Sequence, residues 1–173
     1  MKDFSKIVED WAMKYKPMQH EPGEYSKNQR FFLIEDIVAI PEFMSKIPET
    51  KSPCVMYEYM VHAGIDGGKI NPSYSVYFPV NCGTSKPNPR AAHKAVRESL
   101  DHAFKFIAWI RDRQDKGQKE LRNIDLERVR VDTYGPLLNG WYAVFLQFED
   151  VDSFNICVDS NDYIAMDDKE SDL

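Results

Sequence analysis

Apolar residues near the start of the chain recur at steps of three and four. This places Phe4, Ile7, Val8, Trp11 and Tyr15 on one face and predicts an amphipathic helix over 3–15. Lys16-Pro17 ends it, because proline disfavours helical backbone at the residue before it. Residues 17–29, with Pro17, Pro22, Gly23, Ser26 and Asn28, read as a connecting loop. The apolar run 31–40 predicts a strand, and 41–47 a helical turn or two with Pro41 near its first position. Segments 54–62 and 74–80 are rich in strand formers. Between them, 63–72 is turn chemistry (Gly64, Gly67, Gly68, Asn71, Pro72), so the three together predict a long β-hairpin. Pro79 has no amide hydrogen to donate, which puts the second strand at a sheet edge or near its own end.

The longest periodic stretch, 90–116, carries Ala92, Ala95, Val96, Leu100, Ala103, Phe104, Ile107 and Ile110 as a stripe, with Gly117 as terminator. Its other face holds opposite charges four residues apart, such as Arg97 and Asp101 or Asp112 and Lys116. In 126–134, Val129, Val131 and Thr133 alternate with Arg128, Arg130 and Asp132, the half-buried strand pattern. Residues 141–148 are apolar on both faces, 135–140 form the turn between these strands, and 155–158 add a short strand. The expected fold class is α+β: an antiparallel sheet built from two β-hairpins and covered by one long helix, with an N-terminal helix and an acidic C-terminal tail. The 173 residues are expected to form one domain over 1–158, with extension 1–50 and core 51–158, followed by a tail over 159–173.

Charge changes this picture at one end only. The net charge is −6, yet 149–173 alone carries −8 (nine acids and Lys169), which leaves +2 on the other 148 residues. The tail reads as a solvated extension, as a contact with a basic neighbour, or as the lining of a surface that must not hold DNA. Binding to duplex DNA needs a concentrated basic surface, and no stretch stands out as one. No apolar run is long enough to span a membrane, and the first residues do not resemble a secretory signal. Three cysteines (Cys54, Cys82, Cys157), odd in number and widely spaced, point to a reducing compartment.

Chemical motifs are sparse. The loop 63–70 lacks the first glycine and the final Ser/Thr of a phosphate loop and leads into a strand, so hairpin turning explains its glycines. His93 and His102 are nine residues apart on one helix and project to opposite faces, and His20 and His62 have no partner at ligand spacing. Asp150-Val151-Asp152 and the pair Asp159 and Asp162 lack the glycine and closing glutamate of a calcium loop. A Cys–His pair (Cys54 or Cys82 with His62) is available, but buried small cysteines explain those positions as well. No catalytic, cofactor-binding or metal-binding residue is assigned.

The remaining signal is aromatic. Tyr57, Tyr59, Tyr74 and Tyr77 cluster in one hairpin, and Trp141, Tyr142, Phe145 and Phe148 in one strand. One sheet face cannot bury both alternations. Either residues 1–50 cover the second face, or some of these side chains meet another molecule. The candidate subunit-contact residues are Tyr57, Tyr59, Tyr74, Tyr77 and Trp141, with Asp167, Asp168 and Glu170 of the tail.

The order of elements over 50–150 resembles the tail-terminator and head–tail connector proteins of tailed bacteriophages. The resemblance is carried by Ser52-Pro53-Cys54-Val55-Met56-Tyr57, Val76-Tyr77-Phe78-Pro79, the helix opening Ala91-Ala92-His93-Lys94-Ala95-Val96, Arg130-Val131-Asp132 and Gly140-Trp141-Tyr142-Ala143-Val144-Phe145-Leu146. It implies a non-enzymatic virion protein, assembled in the host bacterial cytoplasm, whose copies associate into a ring of six or twelve. The neighbours it implies are portal, connector or tail-tube proteins, with DNA only as non-specific cargo in the channel. Two other classes fit the same pattern: a small ligand-binding or enzymatic α+β domain with a pocket between helix and sheet, and an adaptor that binds one protein through the aromatic face.

Overall fold

The elements in chain order are α1 (Phe4–Lys14), β1 (Phe31–Ile34), β2 (Val55–Asp66), β3 (Lys69–Asn81), α2 (Pro89–Asp115), β4 (Ile124–Tyr134), β5 (Trp141–Asp150) and β6 (Phe154–Asn155). The structure, a computed structural model, describes residues 3–23, 26–35, 40, 47–48, 51–66, 69–150 and 154–155, the side chains of 60–66, 69–71 and 154–155 excepted. The sheet runs in the order β1-β2-β3-β5-β4, with β6 beside the start of β3. The two expected hairpins, β2–β3 and β4–β5, are both present, and β3 pairs antiparallel with β5 to join them. The α+β class therefore holds, with one change: β1 pairs with β2 in parallel, so the open sheet is mixed. Parallel neighbours need a crossover connection, and residues 35–54 supply it.

The first hairpin is longer than its composition predicts. Its ladder continues to Asp66 opposite Lys69, so Ala63, Gly64, Asn71 and Pro72 are ladder positions rather than turn. An irregularity in register between Glu58 and His62 accompanies this extension. Pro79 lies two residues before the end of β3, one of the two placements its missing donor predicts, although β3 is a central strand. The Pro79 carbonyl accepts from Cys54 N–H at 3.2 Å, so its ring nitrogen faces the same side, where the β2 ladder has already ended. Its missing donor therefore costs the pairing with β5 nothing.

Both helices cover one face. α2 lies over β3 and β5, and α1 over β1 and β2. Phe4 stacks on Tyr74 at 4.5 Å, and Trp11 meets Phe78 and Phe106 edge-on at 5.6 and 5.1 Å. Val55, Tyr57, Val76, Val144, Leu146 and Phe148 complete this core. The opposite face carries a second core of Cys54, Met56, Tyr77, Trp141 and Phe145. Ile34 from the end of β1 and Ile40 and Ile47 from the crossover close it. Residues 1–50 thus contribute to both layers: α1 on one side, the crossover on the other.

α2 opens as its sequence predicts, with Pro89 in the first turn and the Asn88 side chain accepting from Ala91 N–H at 2.9 Å. Gly117, at φ +76°, follows its last turn. Its buried face is Ala95, Ser99, His102, Ala103, Phe106 and Ile110, whereas Phe104 from the expected stripe is 53% exposed. Two polar residues therefore sit in the helix–sheet contact, each with a partner. Ser99 Oγ accepts from Val144 N–H at 2.7 Å and donates to the Phe78 carbonyl, on directly opposed residues of β5 and β3. His102 Nδ1 meets the Tyr15 hydroxyl at 2.9 Å, which ties α2 to the end of α1. His102 Nε2 is buried without a hydrogen bond, 3.8 Å from Glu98 Oε1.

Two outcomes follow from this packing. Ser99→Ala removes the hydroxyl and strands two buried backbone groups, so urea unfolding is expected to show a loss of about 1–3 kcal/mol. Burial holds His102 below its ordinary pKa, with Glu98 and Asp101 opposing that shift. Below about pH 6.5 the unfolded chain takes up a proton that the folded chain refuses, so stability falls as pH drops through that range. The urea midpoint of the wild type should decline between pH 7.5 and 5.5, and His102→Gln should flatten that slope.

Candidate functional site

The structure separates the predicted contact residues into three groups. Tyr57 and Tyr74 lie in the helix-side core and Tyr77 and Trp141 in the opposite one, each at most 5% exposed. Their aromatic bulk fills the two layers rather than a subunit surface. Burial pushes the Tyr57 hydroxyl well above its ordinary range, and that of Tyr74, close to Asp150, up to about 12. Tyr77 donates to buried Glu58 Oε2 at 3.0 Å, and Tyr74 to Asp150 Oδ2 at 3.4 Å. Tyr59 is different: it is 51% exposed, on β2. Asp167, Asp168 and Glu170 lie outside the described residues, as do 156–158 of the expected last strand.

What the fold leaves open is its sheet edges. Among the described residues no strand pairs with the outer side of β1 or of β4. Each edge presents an exposed apolar side chain, Leu33 at 51% on β1 and Val131 at 39% on β4. Leu33 stands opposite Tyr57 and Val131 opposite Leu146, so both project from the helix-bearing face, at its two opposite margins. The periodicity of 126–134 shows Val131 as apolar, but only the sheet order reveals that, among the described residues, β4 is an edge strand.

A surface cavity of about 600 Å3 opens beside β1, lined by Glu9, His20, Phe31, Leu33, Ile47 and Lys51 among others. Its polar groups are committed to holding the chain. His20 Nδ1 accepts from Arg30 N–H at 3.0 Å, which leaves its Nε2–H to donate to Glu9 Oε1 at 3.3 Å. Lys51 Nζ donates to the carbonyls of Ser26 and Lys27. The arrangement pins the loop that delivers β1 to the sheet.

The other candidate chemistry does not converge. Cys54 is fully buried and its thiol is pushed up to about 12, so it is protonated at neutral pH. Cys82 donates to the Thr84 carbonyl at 3.1 Å. His93 is exposed while His102 is buried, consistent with opposite faces of α2. Among the described residues no three His, Cys, Asp or Glu side chains gather as a metal site, and no helix is long and apolar enough to cross a membrane.

Sequence reasoning overlooked one surface. Residues 81–97 contain Lys86, Arg90, Lys94 and Arg97 and no acid. All four are exposed, and none makes an ion pair among the described residues. Arg90, Lys94 and Arg97, at spacings of four and three, share one face of α2. A charge count over a window of about twenty residues would have found them. The chain matches no protein-family model and no curated protein.

Proposed function

We propose that this chain is a non-enzymatic structural subunit that assembles into a ring at the head–tail junction or tail-tube end of a tailed bacteriophage. The observation that carries this reading is an open sheet whose two different edge strands, β1 and β4, have no outer partner among the described residues, each bearing one exposed apolar side chain. Edges that differ from one another favour a heterologous contact, in which one side of each copy meets the other side of the next. Such a contact closes into a ring when the rotation between copies permits. The order of hairpin, long helix and hairpin, which resembles the connector and tail-terminator proteins, supports the same reading. Portal, connector or tail-tube proteins would be the neighbours in the virion, and DNA would pass through the channel as cargo.

Light scattering over a range of concentrations, with negative-stain images, tests this directly. Closed rings of six or twelve copies are expected. A lysine at an edge opposes strand addition, so Leu33→Lys and Val131→Lys should each return the mass to a 20.1 kDa monomer with an unchanged circular dichroism spectrum. A wild type that remains at 20.1 kDa at every concentration, or stops at a two-fold dimer, overturns the reading.

A further inference from the structure

The two charged surfaces of this chain leave the fold at opposite ends of the same strand. β6 pairs with Lys69 and Ile70 at the start of β3, and the acidic segment 156–173 continues from there. The basic face of α2 lies at the other end, where Ala92, Ala95 and Val96 pack with Val80 beside Asn81. Twelve residues of β-strand separate these points, about 40 Å at ~3.3 Å per residue. Residues 156–167 span about 40 Å only when fully extended. Within one copy, Asp167 comes level with Arg90 only with the chain fully extended, which costs it its conformational freedom. A basic face presented by a neighbouring copy can be met without that full extension.

We infer that the acidic segment 156–173 of one copy docks on the basic face of α2 of another, formed by Lys86, Arg90, Lys94 and Arg97. The charges are complementary: the segment carries six acids against Lys169, and the face carries four exposed cations that make no ion pair among the described residues. A shallow depression lined by Arg90, Ala91, His93, Lys94 and Arg97 receives it. Glu98 and Asp101 line the lower end of the same depression. Their repulsion stops the segment from sliding toward the helix C-terminus, which fixes its position over the first two turns. Within the segment, Tyr163-Ile164-Ala165-Met166 interrupts the acids, and supplies an apolar stretch to lie against Ala91 and the aliphatic stems of Lys94 and Arg97. This contact extends the assembly reading above, yet it uses neither sheet edge and stands without it.

The probe is a fluorescently labelled peptide of residues 156–173, titrated with the full chain and followed by anisotropy. Saturable binding is expected, weakened about tenfold or more by the triple variant Arg90→Glu/Lys94→Glu/Arg97→Glu and by raising salt from 50 to 500 mM. Reversing Lys116 and Lys119 at the far end of α2 should leave it unchanged. A peptide carrying Asp167→Lys, Asp168→Lys and Glu170→Lys should bind the triple variant and not the wild type, a rescue that a merely misfolded variant would not give. Equal binding of the native peptide to wild type and triple variant overturns the inference. So does a short DNA duplex that binds the basic face at 150 mM salt and displaces the peptide, which would assign the face to nucleic acid. Peptide binding by a chain that forms no rings keeps this contact and removes the ring; rings without peptide binding do the reverse.

Discussion

β3 and β5 are buried on both faces, and the rest of the structure is arranged around that constraint. Tyr74, Val76 and Phe78 point to one side of β3 and Tyr77 to the other; Val144, Leu146 and Phe148 point to one side of β5 and Trp141 and Phe145 to the other. A sheet with one solvated face would leave half of these aromatics in water, at a cost of about 1.5–3 kcal/mol for each large side chain. Two covering layers are therefore required. The helices supply one. The other needs the chain to cross the far face between β1 and β2, and that crossover makes β1 parallel to its neighbour. The mixed sheet is thus a consequence of the double-sided core.

The helix-side layer is held in register by polar groups as well as by shape. An apolar stripe on α2 could slide along the sheet by a turn with small loss of burial. Ser99 cannot slide, because its hydroxyl serves an amide of β5 and a carbonyl of β3 on opposed residues. His102 does the same for α1 through the Tyr15 hydroxyl, next to the Trp11–Tyr15 stack at 4.6 Å. Buried polar groups add little net stability when satisfied and cost much when broken, so they select one packing among several that the apolar surface alone would tolerate.

These groups also mark the limit of what the pattern of residues reveals. The two helices, both hairpins and the central position of 141–148 are legible because periods of 3.6 and 2 survive in the sequence. Phe104 was misplaced on the buried stripe, and Ser99, His102 and Phe106 were missed. The stripe was drawn through apolar residues, whereas the buried face at 100° per residue passes through two polar ones. Pro79 sits near the end of β3, as its missing donor allows, and β3 can still be central because the proline nitrogen faces no paired neighbour. The parallel β1–β2 pairing and the free edge at β4 depend on strand order, which local periodicity does not encode. For the same reason the contact candidates were drawn from the most aromatic strands. Tyr57, Tyr74, Tyr77 and Trp141 are aromatic because they fill the core, and the surface that remains open is marked by Leu33, Tyr59, Val131 and the exposed cations of α2.

The open surfaces lie along two perpendicular directions, and the physics of each differs. The edges β1 and β4 face across the sheet, where contact consists of backbone hydrogen bonds and apolar side chains and responds weakly to salt. The last described residues, in β6, and the basic face lie at the two ends of β3, and an attraction between charges there would fall off within about 8 Å at physiological ionic strength. In the proposed assembly one contact would be set by geometry and the other by solution conditions. Lateral closure would then persist in high salt, while copies joined along the strands would separate. In the proposed assembly the −8 carried by 149–173 would act accordingly: with a basic neighbour in reach it would bind, and without one its self-repulsion would hold copies apart.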